Sequence, residues 1–138
     1  MNGRAIKGQI LYPGSAEGRV LHLTAPLSFW GGVDPGSGEI ILGSHPQRGL
    51  NVSGTVLVLA DPIGSSSSSS DLLELIYNGV APAAIVLGEP DAILIVGCLV
   101  ARELGLRPPP ILHVSRDDLR GLVGNRATIN DGVVHPVG

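Results

Sequence analysis

Residues 55–87 read TVLVLADPIGSSSSSSDLLELIYNGVAPAAIVL. The opening run, Thr55-Val56-Leu57-Val58-Leu59-Ala60, is continuously apolar and of strand length, the pattern of a parallel strand covered on both faces. After Asp61-Pro62-Ile63-Gly64 and the serines 65–70, Leu72, Leu75 and Ile76 fall at helical spacing, with Ser68 one turn back. Asp71 and Glu74 offer a capping-box pair, and Gly79 suits the left-handed position after a helix. Ala83-Ala84-Ile85-Val86-Leu87 then repeats the strand signal. The stretch therefore predicts a strand, a tight Gly-Ser turn, a helix and a second strand.

The same alternation continues outward. Glu89-Pro90 opens a helix from Asp91 to Leu104 that Gly105 stops, and apolar residues cover nearly all of Ala92 to Ala101, so it is expected to be buried on most sides. Ile111-Leu112-His113-Val114, after Pro108-Pro109-Pro110, gives a third strand. Strand and helix alternating at this spacing demand parallel crossovers, so the centre is a β-α-β-α-β unit. Arg126 to Asn130 and Val133 to Val137 form a hairpin signal around Asp131-Gly132. At the other end, Ala5 to Leu11 and Gly18 to Leu23 read as a hairpin or two neighbouring strands separated by Pro13-Gly14-Ser15. Leu27 to Gly49 is too punctuated for a helix and is expected to be an exposed loop around a short strand, Glu39 to Leu42. The expected fold class is α/β, a parallel layer flanked by β strands from both termini, in one domain spanning 1–138.

Composition narrows the function. Charged residues are 15% of the 138, against about 25% in an ordinary soluble domain, so much of the surface is neutral, which hints at a partner. A net charge of −3 with no Lys/Arg run removes the electrostatic basis for a dedicated nucleic-acid binder and for binding an anionic membrane. The first residues lack the apolar core of a signal peptide and no later stretch is long enough to span a bilayer, so a cytoplasmic protein is expected. Cys98 is the one cysteine: it allows no internal disulfide, and the chain alone cannot supply the thiolates of an iron–sulfur cluster.

Gly64-Ser65-Ser66 stands beyond the carboxyl end of a parallel strand and before a helix, where unpaired N–H groups can cradle a carboxylate or phosphate and stabilise a serine alkoxide. The six serines also fit a flexible linker or a simple helix cap. A nucleotide-binding loop needs a lysine, and the only one is Lys7; a serine-hydrolase elbow needs Gly two residues past the serine, where Ser67 stands. His22, His45, His113 and His135 show no metal-type spacing and read as surface or packed histidines.

Pro26-Leu27-Ser28-Phe29-Trp30-Gly31-Gly32-Val33-Asp34-Pro35, His45-Pro46, Gly64 with its serines, Leu73-Glu74-Leu75, Gly79 to Ile85 and Val100 to Leu104 resemble the small subunit, or swivel domain, of the aconitase X family. The resemblance runs from about Arg4 to Val134, and its LSFWGGVDP block is highly specific. It implies a swivelling β/β/α domain that docks on a larger aconitase-like subunit to complete a hydro-lyase acting on a small hydroxy acid, cis-3-hydroxy-L-proline or (R)-5-phosphomevalonate. It also implies an iron–sulfur cluster on the large subunit, Ser65 as catalytic base, and Ser66 as an oxyanion or substrate contact, with Gly64, Ser67 and Arg48 as further substrate-binding candidates. The family's turn usually reads Gly-Arg-Gly-Ser, and here Ile63 stands where the arginine should be. Either Arg48 or a partner's arginine compensates, the substrate differs, or this copy is a non-catalytic anion-binding module.

Phe29 and Trp30 fit an interface anchor against the large subunit, or burial in the domain's own core. Asp34, His45 and Arg48 could face the cleft, although Asp-Pro and His-Pro are ordinary turn formers. Cys98 is expected to act as a small core hydrophobe.

Overall fold

A computed structural model describes residues 3–122 and 124–137. Eight strands form one mixed sheet: β1 (Ile6–Lys7), β2 (Gln9–Tyr12), β3 (Ala16–His22), β4 (Val56–Leu59), β5 (Ala84–Leu87), β6 (Ile111–His113), β7 (Arg126–Asn130) and β8 (Val133–Val137). Three helices accompany them: α1 (Ser68–Tyr77), α2 (Ala92–Glu103) and the short α3 (Arg116–Arg120). The strand order is β1-β8-β7-β3-β4-β5-β6-β2, with β3 to β6 parallel and the outer pairs antiparallel. The central β-α-β-α-β unit stands as the alternation required.

β1 and β2 are consecutive in the chain yet lie at opposite ends of that order, joined only through Gly8, whose N–H donates to Gly132 O at 2.8 Å. The sheet therefore closes on itself. Every residue of β4 and β5 is buried. Val56, Val58, Ala84, Val86, Ala127 and Val134 fill the enclosed side, where small side chains fit a closed sheet, and Leu57, Leu59, Ile85 and Leu87 face the helices.

Both main helices end as their glycines require. At α1 the Gly79 N–H donates to Ile76 O (3.1 Å) and the Val80 N–H to Leu75 O (3.0 Å), with Gly79 at φ 72°; Gly105 (φ 78°) and Leu106 repeat this at α2. Asp131 (φ 49°) and Gly132 (φ 76°) form the expected hairpin turn between β7 and β8.

Four expectations need correction. The helix α2, expected to be buried on most sides, buries one face only, Leu94, Gly97, Cys98 and Ala101, and leaves Val96, Leu99 and Val100 exposed, because it covers a single side of the sheet. The first two β runs form neither a hairpin nor neighbours: β2 pairs with β6, and β3 lies between β7 and β4, because closing the sheet draws the N-terminal strand across both edges. The strand expected over Glu39–Leu42 shrinks to isolated bridges, Val33 to Ile40 and Glu39 to Asn51. The helix begins at Ser68, a turn early, and its N-cap Ser67 makes no side-chain cap bond, so no capping box forms. Three of the six serines are thus helical, which removes the linker reading.

Candidate active site

The long excursion between β3 and β4 packs Leu27, Phe29, Val33, Ile40 and Val52 into the helix-side core beside α1. Within it, Trp30 (φ −71°, ψ 121°) and Gly31 (φ 74°, ψ −10°) have the dihedrals of a type II turn, which needs glycine at its second central position. The turn sends two adjacent aromatic residues in opposite directions. Phe29 is 2% exposed in the core and Trp30 is 59% exposed. Of the two readings of the pair, core burial holds for Phe29, and Trp30 alone leaves its side chain exposed.

Trp30 forms one wall of a cleft of about 560 Å³ lined by Ser28, Trp30, Gly31, Gly32, Leu42, Ile63, Gly64 and Ser65. The opposite wall is the turn between β4 and α1. Ser65 is half-buried there; its carbonyl accepts from the Ser68 N–H at 2.9 Å and its Oγ from the Ser67 N–H at 3.4 Å. The N–H groups of Gly64, Ser65 and Ser66 meet no acceptor among the described residues. A hydroxyl, free amides and a helix start thus share one edge of the cleft, a donor set suited to an anionic oxygen. A Cβ at Gly64 would meet only Ile93 Cδ1 at 4.0 Å, so the space beside this turn is open.

None of the lining side chains carries a charge. Ile63 is 48% exposed at the cleft, so hydrocarbon stands where the resemblance would put an arginine. Ser66 and Ser67 are exposed on the turn outside the lining. Arg48 is exposed on a separate turn and does not line the cleft. Asp34 and His45 are turn formers: the Asp34 carboxylate accepts from the Gly36 N–H and the Ser37 hydroxyl at 3.1 and 2.9 Å. Buried His45 accepts from the Gln47 N–H at Nδ1 (3.0 Å), so its Nε2–H donates to Ala25 O at 3.2 Å.

Two features were missed in the sequence. Arg116, after β6, pairs with Asp61, after β4, and with Glu89, after β5, the latter at 2.9 Å. Hydrogen bonds to Asp61 and Glu89 raise the Arg116 value further above its ordinary range. One charge from each of three consecutive loops meets at the carboxyl edge, a meeting only the strand order creates. The second is Ser68, 2% exposed, whose Oγ accepts from the Trp30 N–H at 3.3 Å and lies 3.3 Å from Ser28 Oγ.

Among the described residues no group of three or more His, Cys, Asp or Glu could hold a metal ion. Cys98 lies in the core, its Sγ donating to Pro109 O at 3.7 Å, and burial pushes its thiol up to about 12. The residues present therefore do not fit an iron–sulfur cluster. No helix among the described residues is long and apolar enough to cross a membrane.

Comparison with known proteins places this geometry. A family model described as aconitase X swivel domain matches residues 5–132. A cis-3-hydroxy-L-proline dehydratase of Pseudomonas aeruginosa is 52% identical over 101 residues, 73% of this chain and 17% of that protein. The phosphomevalonate dehydratase small subunit of Methanothermobacter thermautotrophicus is 36% identical over 115 residues, 83% of each chain. The crystal structure of Thermococcus kodakaraensis aconitase X in its holo-form superposes with a TM-score of 0.85 at 30% identity, covering 99% of this chain and 100% of that one. The chain spans only 17% and 22% of the two cis-3-hydroxy-L-proline dehydratases it matches.

Proposed function

From the premise that the chain belongs to the aconitase X swivel domain family, we propose that residues 1–138 are one swivel domain serving as the small subunit of a hydro-lyase. It completes its active site on a larger aconitase-like subunit and removes water from a small hydroxy acid. Of the two candidate substrates we favour the cis-3-hydroxy-L-proline type over (R)-5-phosphomevalonate. The observation that carries the reading is the half-buried Ser65 hydroxyl beside unpaired amides in an uncharged cleft. A small ring presents hydrocarbon to Trp30, Leu42 and Ile63, which suits the apolar part of this lining. The identity to the Pseudomonas dehydratase supports the same choice.

In this reading Ser65 Oγ takes the proton from the carbon next to the substrate carboxylate, the C–H electron pair becomes the C=C bond as the C–O bond on the neighbouring carbon breaks, and the hydroxyl leaves as water with a proton supplied from the large-subunit side of the cleft. A serine oxygen is a strong enough base only where its anion is stabilised, and the Gly64–Ser66 amides with the start of α1 supply that field. The same amides receive the carboxylate as negative charge spreads onto it. Once the large subunit covers them, Trp30 and Ile63 exclude water from the carbanion. The family's iron–sulfur cluster belongs to the large subunit, and no step is assigned to it in this chain.

The test is dehydration by the chain co-purified with an aconitase X-type large subunit, given cis-3-hydroxy-L-proline and (R)-5-phosphomevalonate. Turnover of the first, falling about 10²–10⁴-fold in kcat in Ser65→Ala, is expected. Ile63→Arg should shift preference toward the phosphorylated acid, because a guanidinium matches a phosphate in a bidentate way. Full activity in Ser65→Ala would refute Ser65 as the base. No turnover in a stable, cluster-loaded complex would favour the anion-binding module instead.

A further inference from the structure

Ser68 occupies a position that its place in a serine run conceals. Its backbone N–H donates to the Ser65 carbonyl at 2.9 Å, while its side-chain oxygen accepts from the Trp30 N–H at 3.3 Å. One buried residue is therefore bonded to both walls of the cleft. Ser28, a lining residue in the same excursion, has its Oγ 3.3 Å from the same hydroxyl. Phe29 anchors the base of the turn in the core, and the Gly32 carbonyl accepts from the Ile41 N–H at 2.9 Å, but the exposed Trp30 is tied toward α1 by its main chain at Ser68. The spacing between Trp30 and Ser65 thus passes through Ser68.

We infer that Ser68 is a positioning residue that sets the width of the cleft, holding the Trp30 indole over the apolar face of the substrate while Ser65 meets the reacting carbon. The substrate half of this role rests on the function proposed above; the tether itself does not. Ser68→Ala leaves the Trp30 N–H without its acceptor, frees the turn, and weakens substrate binding without touching the base.

Trp30 is the only tryptophan in the chain, so its emission reports the turn directly. In the full chain, Trp30 fluorescence anisotropy should fall in Ser68→Ala and recover in Ser68→Thr, which restores the hydroxyl, with circular dichroism unchanged. Unchanged anisotropy in a folded Ser68→Ala protein overturns the tether. If that variant does not fold, amide exchange in the unmodified chain decides: the Trp30 N–H should exchange more slowly than the Gly31 N–H, and equal rates overturn the tether. In the reconstituted enzyme KM should rise about fivefold, as for one lost hydrogen bond, with kcat within about twofold of the parent. A fall in anisotropy with KM unchanged overturns the role on substrate. Should the parent enzyme lack turnover, the fluorescence and exchange results still decide the tether, so the two readings fail separately.

Discussion

Gly88 follows β5 beside the point where the serine loop leaves β4, and Gly88→Ala tests how tightly those ends are joined. Its N–H donates to Leu59 O at 3.0 Å. A Cβ there would stand 2.4 Å from Ala60 O, 2.9 Å from Ala60 Cα and 3.0 Å from Ala60 C, all backbone atoms that no rotamer change can withdraw. A tolerable carbon–oxygen contact is about 3.3 Å, so the ends of β4 and β5 must part by about 1 Å. Overpacking of this kind costs about 1–3 kcal/mol and the broken hydrogen bond about 1 kcal/mol more. The expected loss is about 2–4 kcal/mol, a large share of the roughly 5–15 kcal/mol that holds a domain folded. Urea unfolding measures it, with Gly43→Ala, where a Cβ meets nothing within 4 Å, as the neutral control. A Gly88→Ala protein within about 0.5 kcal/mol of its parent at an unchanged m-value would refute the packing argument. The displaced residue, Ala60, immediately precedes the Asp61–Ser65 loop, so the same variant should also lower turnover in the reconstituted enzyme.

Two further outcomes follow from titratable groups that burial shifts. Cys98, with its thiol pushed up to about 12 by burial, should resist iodoacetamide at about pH 8 in the native chain and react once urea unfolds it; rapid native labelling would contradict its placement. Burial holds the His22 imidazole below its ordinary value, so from about pH 6.5 downward the unfolded chain binds a proton that the native chain does not. That stability is present above the ordinary value and is lost as pH falls toward the native one. Melting of the parent should therefore weaken between about pH 7.5 and 5.5 more than that of His22→Gln, and parallel slopes would remove His22 as the cause.

The centre of the fold was legible because its signals are local. Val56 to Leu59 and Ala84 to Leu87 are apolar on both faces, and Gly79, Gly105 and Asp131-Gly132 mark chain reversals that demand positive φ. The fate of Ile6 to Tyr12 was not local: one short run pairs with β8 on one side of Gly8 and with β6 on the other, a choice made by closing the sheet. The serine turn could be placed from sequence because a strand precedes it and a helix follows. Its partners could not: Trp30 lies 38 residues from Ser68, and Asp61, Glu89 and Arg116 meet only through the order of three strands. Phe29 and Trp30 look alike in sequence, and the type II turn at Trp30-Gly31 separates them.

The charge arrangement explains why such a site would depend on a partner. The carboxyl edge holds one guanidinium, Arg116, and two carboxylates already share it, leaving that cluster net negative. Arg48 stands outside the cleft lining and Ile63 contributes hydrocarbon. This chain therefore offers a substrate carboxylate amides and a helix start but no cation in the cleft lining, and a carboxylate moved out of water with amides alone is only partly compensated. In the proposed hydro-lyase the missing cation comes from across the cleft. The surface there is suited to being covered: Trp30 and Ile63, both about half exposed, border the cleft beside half-buried Leu42, which makes an apolar rim around a polar turn. In the proposed hydro-lyase, covering that rim would exclude water from Ser65 and bring the partner's charges to the substrate in the same movement, so docking and activation of the base would become one event. A swivel domain with a self-sufficient set of cations would bind anions alone; in the proposed enzyme this one would bind them well only when closed.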